Sequence, residues 1–346
     1  MKDRIKQIIK LGIFISLSVI LLILAFRDID LAEVFKELRF AKYSWVLVAF
    51  IASVLAFISR ARRWILLIKP LGYKPGIRSA YHALLTGYLF NLAAPRLGEL
   101  TRCVALGRKE KIPVDRLFGT VIAERAFDLV SMLIIMVIMI LARGDLIDSF
   151  LRENIFNPLG DKISSVFGFS TMFIIILILF HAAMFLMLLV YRDRLRKIKL
   201  FARVGDILKG IFSGLKTFIR MKDKLEFIIH TIIIWSFYIT MTWVVFYALP
   251  ATSHLNFGDA VFILVIGSLG MAAPVQGGIG AFHWIVSRGL NVVYGIDLQD
   301  SLAYATLSHE SQLILIAILG TISFYLILGS KRRRDRDPEK IADGKE

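Results

Sequence analysis

The chain has 346 residues, 57% of them hydrophobic and 20% charged, with a formal net charge of +16. Its mean hydropathy is +0.69, and several apolar runs reach about 17 to 25 residues, the length at which a helix crosses a bilayer. This excludes a water-soluble globular class; the bases flank apolar runs, so they read as orientation signals and anionic-lipid contacts and not as a nucleic-acid surface.

No region is long and polar enough for a separate soluble domain. One transmembrane domain is expected over 1–330, followed by a basic, disordered cytoplasmic tail at 331–346. The single Cys103 excludes an internal disulfide and a multi-cysteine metal site.

Lys2, Arg4, Lys6 and Lys10 precede an apolar run from Leu11 to Phe26. It ends without a small-x-small cleavage pattern, which predicts an uncleaved first span with its N-terminus in the cytoplasm. Arg27 to Lys42 carries four acids and four bases and is predicted to be an external interfacial turn. A second span is expected from Tyr43 to Ser59, ending in a cytoplasmic loop that opens with Arg60, Arg62, Arg63 and Trp64.

Residues 79–95 are long enough to cross, yet the bases that follow belong inside. They read as the first arm of a re-entrant hairpin, with Gly98 to Gly107 as the second. A span from Leu117 to Ala142 leads to an outside loop at 143–169, and a span from Thr171 to Tyr191 returns to the cytoplasm. Residues 192–224 interleave bases with apolar residues at helical spacing, as in an amphipathic helix on the inner leaflet or a solvated basic linker. Phe227 to Leu249 goes out again. A second hairpin is expected from 259–274 and 281–296, and a last span from Leu302 to Leu328 ends in Lys331-Arg332-Arg333-Arg334, inside.

The two hairpins break alike. Ala93-Ala94-Pro95-Arg96-Leu97-Gly98 and Ala272-Ala273-Pro274-Val275-Gln276-Gly277 share an Ala-Ala-Pro-x-x-Gly pattern, and the second continues through Gly278 and Gly280. Pro and Gly cost a lipid-embedded helix hydrogen bonds that water cannot replace, so such breaks belong where protein or a cavity receives them. Opposite orientation of the two halves predicts inverted repeats, about 9–142 and 170–329. The expected fold is therefore an all-α polytopic membrane protein of about six full spans plus two re-entrant or broken hairpins, both termini cytoplasmic.

Ionisable groups at membrane depth are costly and face a cavity or one another. At the first break these are Arg96, Glu99 and Arg102, beside Asn91. Glu99 and Arg102, spaced i,i+3, can pair on a helix, or the arginines, with Arg63 and Asn91, can meet a lipid headgroup phosphate. Glu124 and Asp128 share a helix face, able to hold a cation or proton, to meet Arg96 or Arg102, or to neutralise Arg60, Arg63 or Arg125. In the last span, Ser308-His309-Glu310-Ser311-Gln312 is the matching interruption, with Glu310 as the counterpart acid. His283 can titrate in a cavity or simply pack. Pro95, Gly98, Pro274, Gly277, Gly278 and Gly280 are the candidate hinges. No catalytic signature occurs: no His-x-x-His or Glu-x-x-His metal pattern, no Gly-x-Ser-x-Gly and no Walker loop. No metal, cofactor or catalytic residue is expected.

Arg60-x-x-Arg63-Trp64, Asn91-x-x-x-Pro95-x-x-Gly98-Glu99-x-x-Arg102, Glu124-Arg125-x-x-Asp128 and Pro274-x-x-Gly277-Gly278-x-Gly280 together resemble the transmembrane region of lysylphosphatidylglycerol synthases, the flippase-like domain family. The likeness extends from the second span to the last. It implies a helical domain that moves a phospholipid or lipid-linked headgroup between leaflets of the cell membrane. Two-domain members add an aminoacyl transferase, so synthase activity is not expected here. Many members carry an acid shortly after the second break, where this chain has His283. Expected partners are membrane lipids, anionic or bearing a lipid-linked phosphate, with a second copy or a separate synthase as further options; nucleic acid is not expected. A polyprenyl-phosphate-processing enzyme and a small-solute or ion transporter are the alternatives.

Overall fold

Where water cannot satisfy backbone N–H and C=O groups, a chain satisfies them within itself, and among the described residues this one is helical with no strand. The computed structural model describes residues 31–94, 97–151, 153, 221–273 and 275–334. The expected first span, the span at 171–191, the basic segment as far as residue 220 and the tail beyond residue 334 lie outside these residues. So do Pro95, Arg96 and Pro274.

Nine helices follow one another within them: α1 (Leu31–Phe40), α2 (Tyr43–Ile68), α3 (Ile77–Ala93), α4 (Leu97–Glu110), α5 (Val114–Leu151), α6 (Lys224–Phe246), α7 (Phe257–Met271), α8 (Ala281–Tyr294) and α9 (Leu298–Arg334). Among the described residues, four stretches are long and apolar enough to cross a membrane: Tyr43–Leu71, Val114–Gly144, Lys224–Phe246 and Leu298–Ile327. The arms α3, α4, α7 and α8 have 14 to 17 residues. At 1.5 Å per residue they reach about 21 to 26 Å, less than the roughly 30 Å hydrocarbon core. These are the two expected hairpins.

Three boundaries differ from the sequence reading. The predicted turn at 27–42 contains helix α1. The second span does not stop at Ser59: α2 runs on through Arg60, Arg62, Arg63 and Trp64 to Ile68, ending where Pro70 and a left-handed Gly72 (φ +87°) turn the chain. Arg60 and Arg63 are therefore inside the bundle and not in a cytoplasmic loop. Helix α5 likewise continues past Ala142 to Leu151 across a kink at Arg143. There the Arg143 guanidinium lies 3.7 Å from Asp259 Oδ1, at the start of α7.

Helix α2 packs along α6 and against α3; α3 pairs with α4 and α9; α5 touches α2, α4, α7 and α8; α8 lies between α7 and α9. Trp64, Phe246, Phe262, Val286 and Tyr304 fill the interior. Ser53 donates to Gln312 Oε1 at 2.7 Å, tying α2 to α9. The outer faces carry exposed apolar residues at helical spacing, Leu47, Ile51, Leu55 and Ile58 on α2 and Ile314, Ile318 and Ile322 on α9. In water such stripes would be aggregation surfaces; against lipid tails they are solvated.

The polar end of α6 meets α2 through two partly exposed pairs, Arg62–Glu226 at 2.6 Å and Lys69–Asp223 at 2.7 Å. The Lys69 hydrogen bond, with its charge behind it, holds the Asp223 carboxyl below the usual range. A depressed carboxyl contributes stability above its unfolded-state pKa and loses it as pH falls through the folded value. Exposed pairs are screened, so Lys69→Met is expected to leave the thermal midpoint in detergent at pH 7 indistinguishable from the parent. A clear drop would mean that this bridge anchors α6.

Candidate functional site

Arg60 and Arg63 stand one turn apart on α2, and Glu124 and Asp128 one turn apart on α5; where the helices meet, the pairs interlock. Arg60 Nη2 donates to Glu124 Oε1 at 2.7 Å and to Asp128 Oδ2 at 2.9 Å, while its Nη1 donates to the Tyr238 hydroxyl at 2.6 Å. Arg63 donates to Asp128 Oδ1 through Nη2 and to Thr231 Oγ1 at 3.3 Å through Nη1. Arg102 arrives from the second arm of the first hairpin, its Nη2 3.0 Å from Glu124 Oε2 and its guanidinium stacked 4.8 Å from the Trp64 ring centroid. At the rim, Arg125 lies 3.9 Å from Glu99 and 3.7 Å from Asp128.

The interior of this network is closed and its charge does not balance. Glu124 and Arg63 are fully buried and Arg102 is 2% exposed, whereas the Arg125 side chain is 42% exposed, so the network opens on one side. Among the described residues, three buried guanidiniums face two carboxylates. The surplus falls on Arg102: despite its ion-pair distance to Glu124, none of its three side-chain nitrogens makes a hydrogen bond within the described residues. A buried guanidinium with unspent donors, planar and able to give two parallel hydrogen bonds, is where an oxyanion such as a phosphate would be recognised.

Several expected partnerships are rearranged. Glu99 and Arg102 lie on one helix as predicted, but Arg102 turns to Glu124 and Glu99 to Arg125. Asn91 spends its amide oxygen on the Gly98 N–H at 2.8 Å, closing the first hairpin. Glu124 and Asp128 meet Arg60, Arg63, Arg102 and Arg125 together. Tyr238 and Thr231 were not singled out from the sequence, because apolar-run analysis treats aromatic and Thr residues in a span as packing; Trp64, expected in a cytoplasmic loop, is instead the platform under Arg102.

At the second break Gly277, Gly278 and Gly280 hold φ of +58°, +76° and +84°, backbone that side-chain-bearing residues rarely adopt. His283, Glu310 and His309 gather beside it. Glu310 Oε1 is 3.4 Å from His283 Nε2 and 3.2 Å from His309 Nδ1, and His309 Nε2 is 2.8 Å from the Gly277 carbonyl oxygen. His309 also stacks on Phe282 with centroids 4.9 Å apart. Both breaks thus bring a base from the second hairpin arm to an acid on the following long helix, Arg102 to Glu124 and His283 to Glu310. His283, His309 and Glu310 could also hold a metal ion, since one ligand atom from each lies within 4.8 Å of the others.

Comparison with known proteins bears on the whole bundle. The sequence profile of the family described as the lysylphosphatidylglycerol synthase TM region matches residues 7–320, which include both breaks and the entire arginine–carboxylate network. The chain belongs to this family. It is also 32% identical over 119 residues to the UPF0104 membrane protein MJ1595 of Methanocaldococcus jannaschii, a match spanning 34% of this chain and 35% of that protein. Membership and the four candidate spans together make it a multi-pass membrane protein. Both groups of charged residues lie within the matched residues 7–320.

Proposed function

We propose that this chain is a flippase-like lipid translocase, which binds the phosphate of a phospholipid or lipid-linked headgroup and carries it between leaflets of the cell membrane. The observation behind this reading is Arg102: a buried guanidinium, stacked on Trp64, in a cluster with one positive charge too many and without a hydrogen bond in the described residues. A headgroup phosphate would supply both the missing charge and the acceptors. Arg125 and Asp128, on the open side, mark the direction of entry, and Glu124 sets how firmly Arg102 is held.

The packing supports the inverted repeat that alternating access uses. Exchanging α2 with α6, α3 with α7, α4 with α8 and α5 with α9 turns the α3–α9 pairing into α7–α5, α4–α5 into α8–α9 and α2–α3 into α6–α7, and returns α2–α6 to itself. The halves differ chemically, with arginines at the first break and three left-handed glycines at the second. Headgroup binding is assigned to the first and the opening movement to residues 275–280.

The test is transfer of a fluorescent phospholipid in proteoliposomes. Arg102→Met keeps the apolar stem on Trp64 and leaves two arginines facing two carboxylates, so the fold should persist while headgroup-dependent transfer falls at least about tenfold. Parent protein without headgroup-dependent transfer, or a variant equal to the parent, would sink the reading. Phosphate released by the purified protein would favour the enzymatic alternative.

A further inference from the structure

The group at the second break contains a mismatch that the headgroup reading does not use. His309 Nε2 faces the Gly277 carbonyl oxygen at 2.8 Å. A carbonyl can only accept, so Nε2 carries the ring proton, and in a neutral imidazole Nδ1 then presents its lone pair. That lone pair looks at Glu310 Oε1, 3.2 Å away, itself an acceptor when ionised. Two electron-rich atoms turned on one another call for a cation between them.

We propose that His283 Nε2, His309 Nδ1 and Glu310 Oε1 form a binding site for a divalent cation of the zinc class. Two imidazole nitrogens and a carboxylate oxygen are the donor set of a three-ligand zinc site with one position left open. Two of the three spacings agree: two ligands each about 2.1 Å from a tetrahedral ion stand about 3.4 Å apart, against 3.4 Å for Glu310 to His283 and 3.2 Å for Glu310 to His309; all three ligand atoms lie within 4.8 Å of one another, so binding draws the two imidazoles together. Charge-assisted N–H···O bonds would be shorter, about 2.7 to 2.9 Å. The His309 contact to Gly277 is the outer-shell anchor of a metal-bound imidazole, a ring N–H spent on a backbone carbonyl.

Binding rearranges one contact. Gly280 N–H points at His283 Nδ1 at 3.4 Å, a long bond that needs the His283 proton on Nε2. Ligation through Nε2 moves that proton to Nδ1, and the Gly280 contact is given up. The ion therefore acts on the break twice, through Gly277 by way of His309 and through Gly280 by way of His283. Both histidines are buried while the Glu310 side chain is 41% exposed, which leaves the fourth position an approach for an oxyanion or water. With one carboxylate and two neutral rings, the loaded site carries a net charge of about +1. That would set a cation at the second break, as Arg102 does at the first.

Metal binding at this break is separable from lipid transfer and is measured without it. Protein purified through a tag that contains no histidine is stripped with chelator and equilibrated with Zn²⁺; unbound ion is removed and metal is counted by mass spectrometry. About one ion per chain is expected, with affinity at least about tenfold weaker in Glu310→Gln and in His309→Ala. Because His309 also holds the Gly277 carbonyl, its loss can unseat the break, whereas Glu310→Gln keeps the shape and removes only the charge. Co²⁺ on the unaltered protein supplies a separate reading, as a tetrahedral site gives intense visible bands and an octahedral surface site does not. No retained metal, retention unchanged by both substitutions, or a Co²⁺ spectrum without tetrahedral bands would overturn the site and leave a proton as the cation between His309 and Glu310.

Discussion

Glu124→Gln is expected to remove most of the folded protein, a loss of about 3 to 5 kcal/mol read from thermal or denaturant unfolding in detergent. The glutamine is nearly isosteric, so no cavity forms; what changes is charge. Glu124 is fully buried and is approached by Arg60 at 2.7 Å, Arg102 at 3.0 Å and Arg63 at 3.7 Å. Without it, three guanidiniums share Asp128 alone, and in the closed interior of the bundle that excess has little water to spread into. Adding Arg102→Gln should recover part of the loss by restoring two cations to one carboxylate in place of three, a coupling expected between groups in direct contact. If Glu124→Gln were as stable as the parent, or the double variant worse than the single one, the ion pairs would not be holding α2, α4 and α5 together. The contrast with Arg102→Met separates structure from function at one cluster: removing the acid should cost the fold, removing the surplus base should cost the transfer.

The membrane class and the hairpin breaks could be read from the sequence because both rest on local chemistry. An apolar run of span length has few alternatives, and a Pro with several Gly inside one marks irregular backbone whatever surrounds it. The i,i+4 pairing of Glu124 with Asp128 was legible for the same reason. Partners across the bundle were not. Counting bases put Arg60 and Arg63 in a cytoplasmic loop, a rule that assumes a charged residue cannot stay in a span. Their acids lie 64 and 65 positions away, and arginine is a good helix former, so once neutralised it lets α2 run on to Ile68. Glu99 is the nearest acid to Arg102 in sequence, but Glu124 is where the interior needs neutralising. His283 and His309 belong to different helices, and no spacing rule joins them; only the way α8 packs on α9 does.

Gly98→Ala should be comparably severe, through shape and not charge. A Cβ added to Gly98 would fall on the Gly87 carbonyl oxygen and lie 2.7 Å from the Asn91 side-chain Cγ. The backbone carbonyl cannot swing aside, and Asn91 can do so only by giving up its bond from the Gly98 N–H, so α4 has to move off α3. Arg102 sits one turn beyond Gly98 on α4, and that movement draws it away from Glu124 and the Trp64 ring. Overpacking usually costs about 1 to 3 kcal/mol, and here the displaced cation adds to it. Gly87→Ala meets the same interface less severely, its Cβ 2.8 Å from the Gly98 carbonyl oxygen and 3.0 Å from Arg102 Cβ. Gly119 is the control: it lies on α5 with nothing within 4 Å of an added Cβ, so alanine there should gain about 0.5 to 1 kcal/mol of helix propensity. Thermal midpoints of the three variants in one detergent should rank Gly119→Ala above the parent, then Gly87→Ala, then Gly98→Ala. Should Gly98→Ala melt with the parent, α3 and α4 do not approach through these glycines, and Arg102 does not reach Glu124 by the route the hairpin provides.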